Sequence, residues 1–233
     1  FRKDLTEHYL ENGRGSRNAD GSINFDAVVA HNSQYDTGSH NNRDFARDVL
    51  VRRASMNSHN WIGGISKLKY NRGKMNYSLG VDLRKYTGYH YRALNDLLGL
   101  KTYASTGNQN LPTQIYGLSD QIKASPFQNT GLTGNMINYY NIGYVNWAGV
   151  NGMVEYAGDK LNAVLQAGAS NQQFQREDKF ANVDNPISDK ANLIGGYLKG
   201  GLNYNFSQKS NLFLNAGFIN RQPLFDAVFR GFG

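Results

Sequence analysis

Apolar and polar residues alternate with a period of two along three stretches of the chain, which is the pattern of β-strands with two different faces. Between Met75 and Tyr86, one face takes Tyr77, Leu79, Val81 and Leu83, and the other takes Asn76, Ser78, Asp82 and Arg84. The same alternation runs through 161–170 and through 192–223, where the polar turn 207–210 separates two strands. Strands of about ten residues joined by short turns predict antiparallel hairpins.

The polar stretches between these strands divide the chain into hairpins and connections. We predict hairpins at 58–86, 144–175 and 191–223, after a loop and strand lead-in at 1–57 that includes a helical turn near 26–30. A long connection at 87–140, with a helical turn at 93–98, a medium one at 176–190 and the start of another at 224–233 complete the division. Short turns at 71–74, 157–160 and 207–210 contrast with these longer segments, an asymmetry typical of transmembrane β-barrels with long extracellular loops.

The pattern therefore predicts an all-β fold, an antiparallel meander that forms part of a transmembrane β-barrel. Six strands are fewer than the roughly eight that close a membrane barrel, so we expect further strands elsewhere in a longer protein. The residues expected to face lipid are the apolar members of each alternation: Tyr77, Leu79, Val81, Leu83, Leu161, Leu165, Ile194, Leu198, Leu202, Leu212, Leu214 and Phe218.

Composition supports strands that have one polar, water-facing side and one apolar side. Mean hydropathy is low at −0.59, yet 12% of residues are aromatic, which argues against disorder. Apolar runs are too short for a membrane helix, and the absence of cysteine excludes disulfides and thiol chemistry. The net charge of +7 is scattered along the chain, so nucleic-acid binding is not expected. Aromatic residues near predicted strand ends suggest an interfacial belt: Tyr70, Trp147, Tyr156, Tyr204 and Phe206.

Three segments carry a resemblance to a known family. YRALNDLLG at 91–99, GGYLKGGLNYNF at 195–206 and FINRQPLFDAVF at 218–229 resemble TonB-dependent outer-membrane receptors of Bacteroidota. The resemblance implies a barrel of about 22 strands in the bacterial outer membrane, with a plug and a TonB box supplied by other parts of the protein. It implies active uptake of a nutrient or metal-chelate driven by the TonB–ExbB–ExbD system. Its implied contacts are lipid, lipopolysaccharide and a surface lipoprotein.

Residues at the outer strand exits are candidates for binding the transported solute. Aromatic rings beside charged and amide groups form a suitable surface for stacking and hydrogen bonding. Simple packing of the loops is the alternative interpretation. The candidates are Tyr89, Tyr91, Arg92, Asn95, Asp96, Arg221, Phe225 and Asp226.

Catalysis, cofactors and bound metals are not expected. The motif at 36–39, DTGS, matches aspartic proteases, but the second copy that their shared proton needs is missing. Histidines 59 and 90 lack a paired nucleophile, so hydrogen bonding in loops is favoured. A transition metal could bind His31, Asp36, His40 and Asp44, but the residues between them are poor helix formers and do not fix the ligand geometry. Calcium could bind Glu177, Asp184 and Asp189, but the glycine-centred loop of an EF-hand is missing, so solvated loop charges are favoured.

Two other functions fit the same pattern. A passive porin or a structural outer-membrane barrel would share the fold but lack the plug and the TonB box. A secreted, soluble β-sheet protein that binds glycans through exposed aromatic rings is an alternative of a different class.

Overall fold

The structure is a computed structural model that describes residues 17–34, 49–105, 107–121, 136–181 and 184–229, and it is predominantly antiparallel β. Six long strands form one sheet in the order β1-β2-β5-β6-β7-β8, and β3 and β4 form a separate pair. The elements are α1 (Phe25–Asn32), β1 (Arg52–Arg72), β2 (Met75–Asp96), β3 (Thr102–Ser105), β4 (Gln114–Gly117), a 3-10 helix (Leu118–Asp120), β5 (Met136–Ala157), β6 (Leu161–Asp178), β7 (Ala191–Ser207), β8 (Ser210–Asn220) and α2 (Phe225–Val228). The all-β meander predicted from the alternation is confirmed.

Short turns join β1 to β2, β5 to β6 and β7 to β8 as three hairpins, in the regions where the alternation predicts hairpins but with different bounds. Gly73 begins the first two-residue turn with a φ of 57°, a conformation that glycine adopts without steric cost. Gly158 N donates to Leu161 O at 3.0 Å in the second turn. The third turn is stabilised by the Ser207 hydroxyl, which accepts from Lys209 N at 3.2 Å.

Four strands, β1, β2, β5 and β6, are longer than the alternation predicts, whereas β8 ends at Asn220 rather than at 223, so several predicted bounds of the connections are wrong. β1 begins at Arg52 rather than 58, β2 continues to Asp96, and β5 begins at Met136, so 87–140 is not one loop. Residues 93–96 are strand instead of a helical turn, and β6 extends to Asp178 into the predicted loop 176–190. Strand pairing depends on backbone hydrogen bonds, so a strand can continue where its side chains no longer alternate.

The predicted helical turn near 26–30 is confirmed by α1. Asn24 caps it, since its side-chain Oδ1 accepts from Ala27 N at 2.9 Å. Asp26 lies in the first turn, where a negative charge favours the helix dipole.

The chain divides into two compact units, of which the first comprises Phe1–Ser58, Tyr89–Asn141 and Asp178–Pro186. Its described part has a hydrophobic core built from residues far apart in sequence. One cluster contains Val49, Leu94, Leu97, Leu100, Tyr116 and Ile137, and a second contains Tyr91, Ala93, Met136 and Phe180. The predicted long polar loop therefore supplies a packed core of its own.

Asn32 ties three segments of the first unit together. Its side chain is fully buried, and Nδ2 donates to Leu50 O at 2.7 Å and to Leu98 O at 2.9 Å. Leu98 begins the turn after β2 with a φ of 48°, followed by Gly99 with a φ of 91°. A Cβ atom on Gly99 would lie 2.9 Å from the Val29 carbonyl oxygen, so glycine permits the close packing of α1.

The second unit comprises His59–Gly88, Ile142–Glu177 and Ile187–Gly233. In it β6 and β7 pair from Leu161↔Tyr204 onward, and β7 and β8 pair from Gly196↔Asn220 to Ser207↔Ser210. Its three turns are linked, because Ala157 N donates to Lys74 O and Asn205 N donates to Lys160 O, both at 2.8 Å. No helix in the described ranges is long and apolar enough to span a membrane.

Replacing Asn32 by leucine should destabilise the first unit by about 1–3 kcal/mol, because two buried carbonyls lose their donor. The measurement is amide hydrogen exchange at Leu50 and at residues 97–100, which should become faster. Gln34→Ala is the control, since Gln34 is exposed. Equal exchange in the two variants would contradict the structural role of Asn32.

Candidate functional site: the two faces of the sheet

One face of the sheet in the second unit is apolar and exposed, and we call it the apolar face. All twelve residues predicted to face lipid lie on it, with exposed fractions between 39% for Tyr77 and 77% for Ile194. The strand register confirms that these residues lie on one side of the sheet in the pairs β6–β7 and β7–β8, where Ala163 is opposite Leu202 and Leu202 is opposite Leu214. Contact with lipid itself stays a prediction.

Within the part of each strand given next, the apolar face carries no charged side chain. Its residues alternate along each strand. They are the even-numbered residues of 62–70 in β1, 148–156 in β5, 194–206 in β7 and 212–218 in β8, and the odd-numbered residues of 75–83 in β2 and 161–169 in β6. A shallow depression of about 900 Å³ lies over Gly200 and Ala216 and is walled by leucines such as Leu198 and Leu202.

Aromatic rings border the apolar face beside the three turns. Tyr70 and Tyr77 lie 6.1 Å apart between ring centroids, and Tyr204 and Phe206 lie 5.0 Å apart. Tyr156 occupies the equivalent place next to the second turn. Four of the five residues proposed for an interfacial belt are therefore near a turn.

Trp147, the fifth residue proposed for that belt, is in a different place. It lies within β5, on the opposite side of the sheet, and lines a depression there. The prediction failed because β5 begins earlier than the alternation suggests, which moves Trp147 away from a strand end.

Amide side chains border the apolar face at its other end. Asn146 Nδ2 donates to Gln173 Oε1 at 3.1 Å, and Gln173 Nε2 donates to Asn192 Oδ1 at 3.0 Å. This ladder crosses three neighbouring strands, β5, β6 and β7. The apolar residues thus form a band that ends in polar groups.

Glycines on the other side of the sheet, the polar face, let long side chains lie flat. A Cβ atom on Gly168 would lie 2.6 Å from Cε1 of Tyr197, so the phenol ring covers this glycine. Similarly, a Cβ on Gly217 would lie 3.0 Å from Cγ of Lys199. The two glycines thereby position Tyr197 and Lys199.

Residues 221–229, which we call the C-terminal strap, fold back across the polar face after β8. Gln222 Nε2 donates to the Ser170 hydroxyl at 2.8 Å and to the Ser170 carbonyl at 3.1 Å. The Phe225 ring packs on Gly143 and lies edge-on to Phe174 with centroids 5.8 Å apart. The strap therefore contacts both β5 and β6.

Two depressions lie side by side on the polar face, and Ile219 lines both. The smaller, of about 220 Å³, includes Asp82, Trp147, Tyr197 and Arg221 in its wall. The larger, of about 410 Å³, is lined by polar and small residues, among them Gln166, Lys199 and Asn215. Asp82 is already paired, because its Oδ1 accepts from Arg84 Nε at 2.9 Å.

The solute-binding candidates of the first unit have structural partners. Tyr91 is fully buried and meets Tyr140 edge-on at 5.8 Å, so it belongs to the core. Arg92 lies 5.0 Å from the ring centroid of Tyr139, and Asp96 forms a 3.6 Å ion pair with Arg52. The half-buried Tyr89 packs against the second core cluster, and Asn95 is also half-buried. For these residues the packing interpretation has the stronger support.

The candidates of the second unit are Arg221, Phe225 and Asp226, all in the C-terminal strap. Arg221 and Asp226 are exposed, while Phe225 anchors the strap. Tyr197 and Lys199 were missed by the sequence reasoning. The available signal was the pair of glycine doublets around them, GGYLKGG at 195–201.

The remaining candidates for chemistry fall into three groups. Residues 36–39, His40 and Asp44 lie outside the described residues, and His31 lies in α1. His59 stacks on Tyr86 at 5.8 Å, and His90 Nδ1 lies 2.7 Å from Asn57 Oδ1. Both histidines are in strands rather than loops.

Glu177 corrects the expectation that the acidic residues near 176–190 are solvated loop charges. It lies in β6, is almost buried, and its carboxylate accepts from the Tyr144 hydroxyl at 2.6 Å. Asp184 and Asp189 are exposed, as expected. Within the described ranges, no three His, Asp or Glu residues come together as metal ligands.

Comparisons of this chain with models of known families, with curated proteins and with solved structures gave no match. The functional interpretation therefore depends on the geometry of the two sheet faces.

Gly168→Ala should cost about 1–3 kcal/mol of stability, because the added methyl group forces the Tyr197 ring off the sheet. Gly200→Ala on the apolar face is the matched control, since its nearest atoms would lie 3.7 Å away at ordinary contact distance. Its effect should stay within about 1 kcal/mol. Unfolding in detergent measures both, and equal losses would contradict the seating of Tyr197 by Gly168.

Proposed function

We propose that this chain forms part of the wall of a TonB-dependent transport barrel in a bacterial outer membrane. The observation that carries the proposal is the uncharged, exposed apolar face that extends over six strands of 11 to 22 residues. In water, a contiguous apolar surface of this size favours aggregation or an unseen partner. In a bilayer, it is the surface that the hydrocarbon requires.

The dimensions of the apolar face support a membrane location. Leu161 and Ala169 bound the apolar stretch of β6, which is close to the roughly 9–11 residues with which a strand tilted by about 45° crosses a bilayer. Lipid-facing bands of outer-membrane barrels are about 25 Å tall and are flanked by aromatic residues. The rings beside the turns and the amide ladder at the other end would mark the two interfaces.

The outer strands require additional partners under this proposal. β1 and β8 are at the two ends of the sheet order, and unpaired backbone groups in hydrocarbon cost several kcal/mol each. Further strands of the whole protein would pair with these edges and close the barrel. The polar face, with its strap and depressions, would then line the lumen.

Energy coupling is the part of the proposal that the sequence resemblance supports. Outer loops would capture a nutrient or metal-chelate, and the TonB–ExbB–ExbD system would pull a plug to open the lumen. A surface lipoprotein would assist capture. This chain would supply wall and loops, without catalysis, and would contact lipid and lipopolysaccharide.

A passive porin or structural barrel is the second candidate within the same fold, since both faces of the sheet would serve it equally well. A soluble glycan-binding protein is disfavoured by the apolar face, because aliphatic leucines and isoleucines outnumber the aromatic rings that glycans stack on. Solubility without detergent would favour that soluble class.

Leu165→Arg and Leu79→Arg should each cost about 2–4 kcal/mol of folding free energy in lipid if these residues face the middle of the bilayer. Gln166→Arg and Ser78→Arg are the matched controls, because each neighbouring position points to the polar face. Folding into vesicles, followed by the shift in migration of unboiled samples on gels, measures the effect. Equal behaviour of leucine and control variants would contradict a lipid-facing surface.

The TonB dependence of the whole protein separates the active transporter from the porin. In planar bilayers, a porin should give steady conductance, whereas a plugged transporter should give none. In cells, deletion of TonB should abolish binding-dependent uptake by the transporter and leave diffusion through a porin unchanged. Steady conductance together with TonB-independent uptake would overturn the active mechanism and retain the barrel.

A further inference from the structure

The polar face of the second unit carries more positive than negative charge. Strand alternation and side-chain contacts assign charged residues to it, since Gly63 in β1 lies under Arg84 and Asn76 donates to Glu155 at 3.4 Å. Among the described residues of this face and the C-terminal strap, the cationic ones are Lys67, Lys69, Arg84, Arg176, Lys199 and Arg221, and the acidic ones are Asp82, Glu155 and Asp226. A surface with this balance attracts anions.

Two of these cations lie beside the depressions without a carboxylate partner. Among the described residues, no ion pair joins Lys199 or Arg221 to a carboxylate, in contrast to Arg84, which pairs with Asp82. Lys199 lines the larger depression and Arg221 the smaller one. An unneutralised cation in a groove is available to an anionic ligand.

An aromatic ring separates the two cations. Lys199 Nζ lies 5.1 Å from the Tyr197 ring centroid, and the ring is held flat over Gly168. Tyr197 faces Ile219 across the β7–β8 pair, and Ile219 lines both depressions. The floor between the charges is therefore apolar and flat.

Strand register sets the spacing of the backbone positions that carry the two cations. Lys199 pairs with Gly217, and Arg221 follows Asn220 at the end of β8. Three residues of β8 separate the Cα positions of Gly217 and Asn220, a span of about 10 Å, and Arg221 is the next residue. Backbone positions at this spacing suit an elongated ligand that carries acid groups at both ends.

We propose that Tyr197, Lys199 and Arg221 form a binding site for an elongated anionic solute with carboxylate, sulfonate or phosphate groups and a flat or apolar middle. Lys199 and Arg221 bind the acid groups, and Tyr197 and Ile219 contact the middle. Gln222 fixes the strap that carries Arg221 through its hydrogen bonds to Ser170. The transport role of this site rests on the proposed function, in which the polar face lines the lumen.

The test uses 1,3,6,8-pyrenetetrasulfonate, a flat fluorescent polyanion, titrated against the whole chain in detergent and followed by fluorescence anisotropy. We expect saturable binding that weakens with added salt. Lys199→Gln combined with Arg221→Gln should weaken it roughly fivefold or more, because two charge contacts are lost. Tyr197→Leu should weaken binding while leaving the charge unchanged.

Lys160→Gln combined with Lys209→Gln is the matched control, because both lysines lie in turns and their loss changes the net charge by the same amount. This control should stay within about twofold of the wild type if only the site matters. Equal weakening in both double variants would overturn the site, and so would equal affinity for propidium, a flat dication. The propidium comparison uses the wild-type protein, so its result does not depend on whether a variant folds.

Migration of unboiled samples on gels, recorded for the whole protein that contains this chain, separates the two proposals. Anion binding without heat-modifiable migration would overturn the membrane barrel and retain the site. Heat-modifiable migration with no anion preference would retain the barrel and overturn the site.

Discussion

Backbone hydrogen bonding along very long strands is the constraint on which the rest of the structure depends. Strands of 11 to 22 residues present many N–H and C=O groups, and each must be paired by a neighbouring strand. Pairing in register then fixes which side chains share a face, since a shift by one residue would exchange the two faces. The separation of apolar and polar side chains follows from this single condition.

Glycine residues shape both faces of the sheet. On the polar face, Gly168 and Gly217 accept the Tyr197 ring and the Lys199 stem, which would otherwise stand away from the sheet. On the apolar face, Gly200 pairs with Ala216 and leaves a shallow depression between leucines. Glycine inside a strand weakens an isolated hairpin, and here the neighbouring strands and the seated side chains offset that cost.

A sheet with one apolar and one polar face is suited to a barrel wall that separates lipid from water. The apolar face has no charge to desolvate, and the polar face holds an excess of cations with a strap folded across it. Under the proposed function, the apolar face inserts into lipid and the polar face selects the solute. The Asn32 contacts show that the first unit is separately organised, by buried hydrogen bonds and a core of its own.

The sequence by itself determined the all-β class, the three hairpins, their turns and the exposed apolar residues, because period-two alternation and turn residues are local properties. Only the tertiary structure decided where the strands end, because 87–96 and 136–143 are held by neighbouring backbones rather than by their own pattern. It also assigned Tyr91 to a core, placed Trp147 on the polar face, and brought Tyr197, Lys199 and Arg221 to adjoining depressions. Such placements depend on contacts between residues distant in sequence, which alternation does not encode.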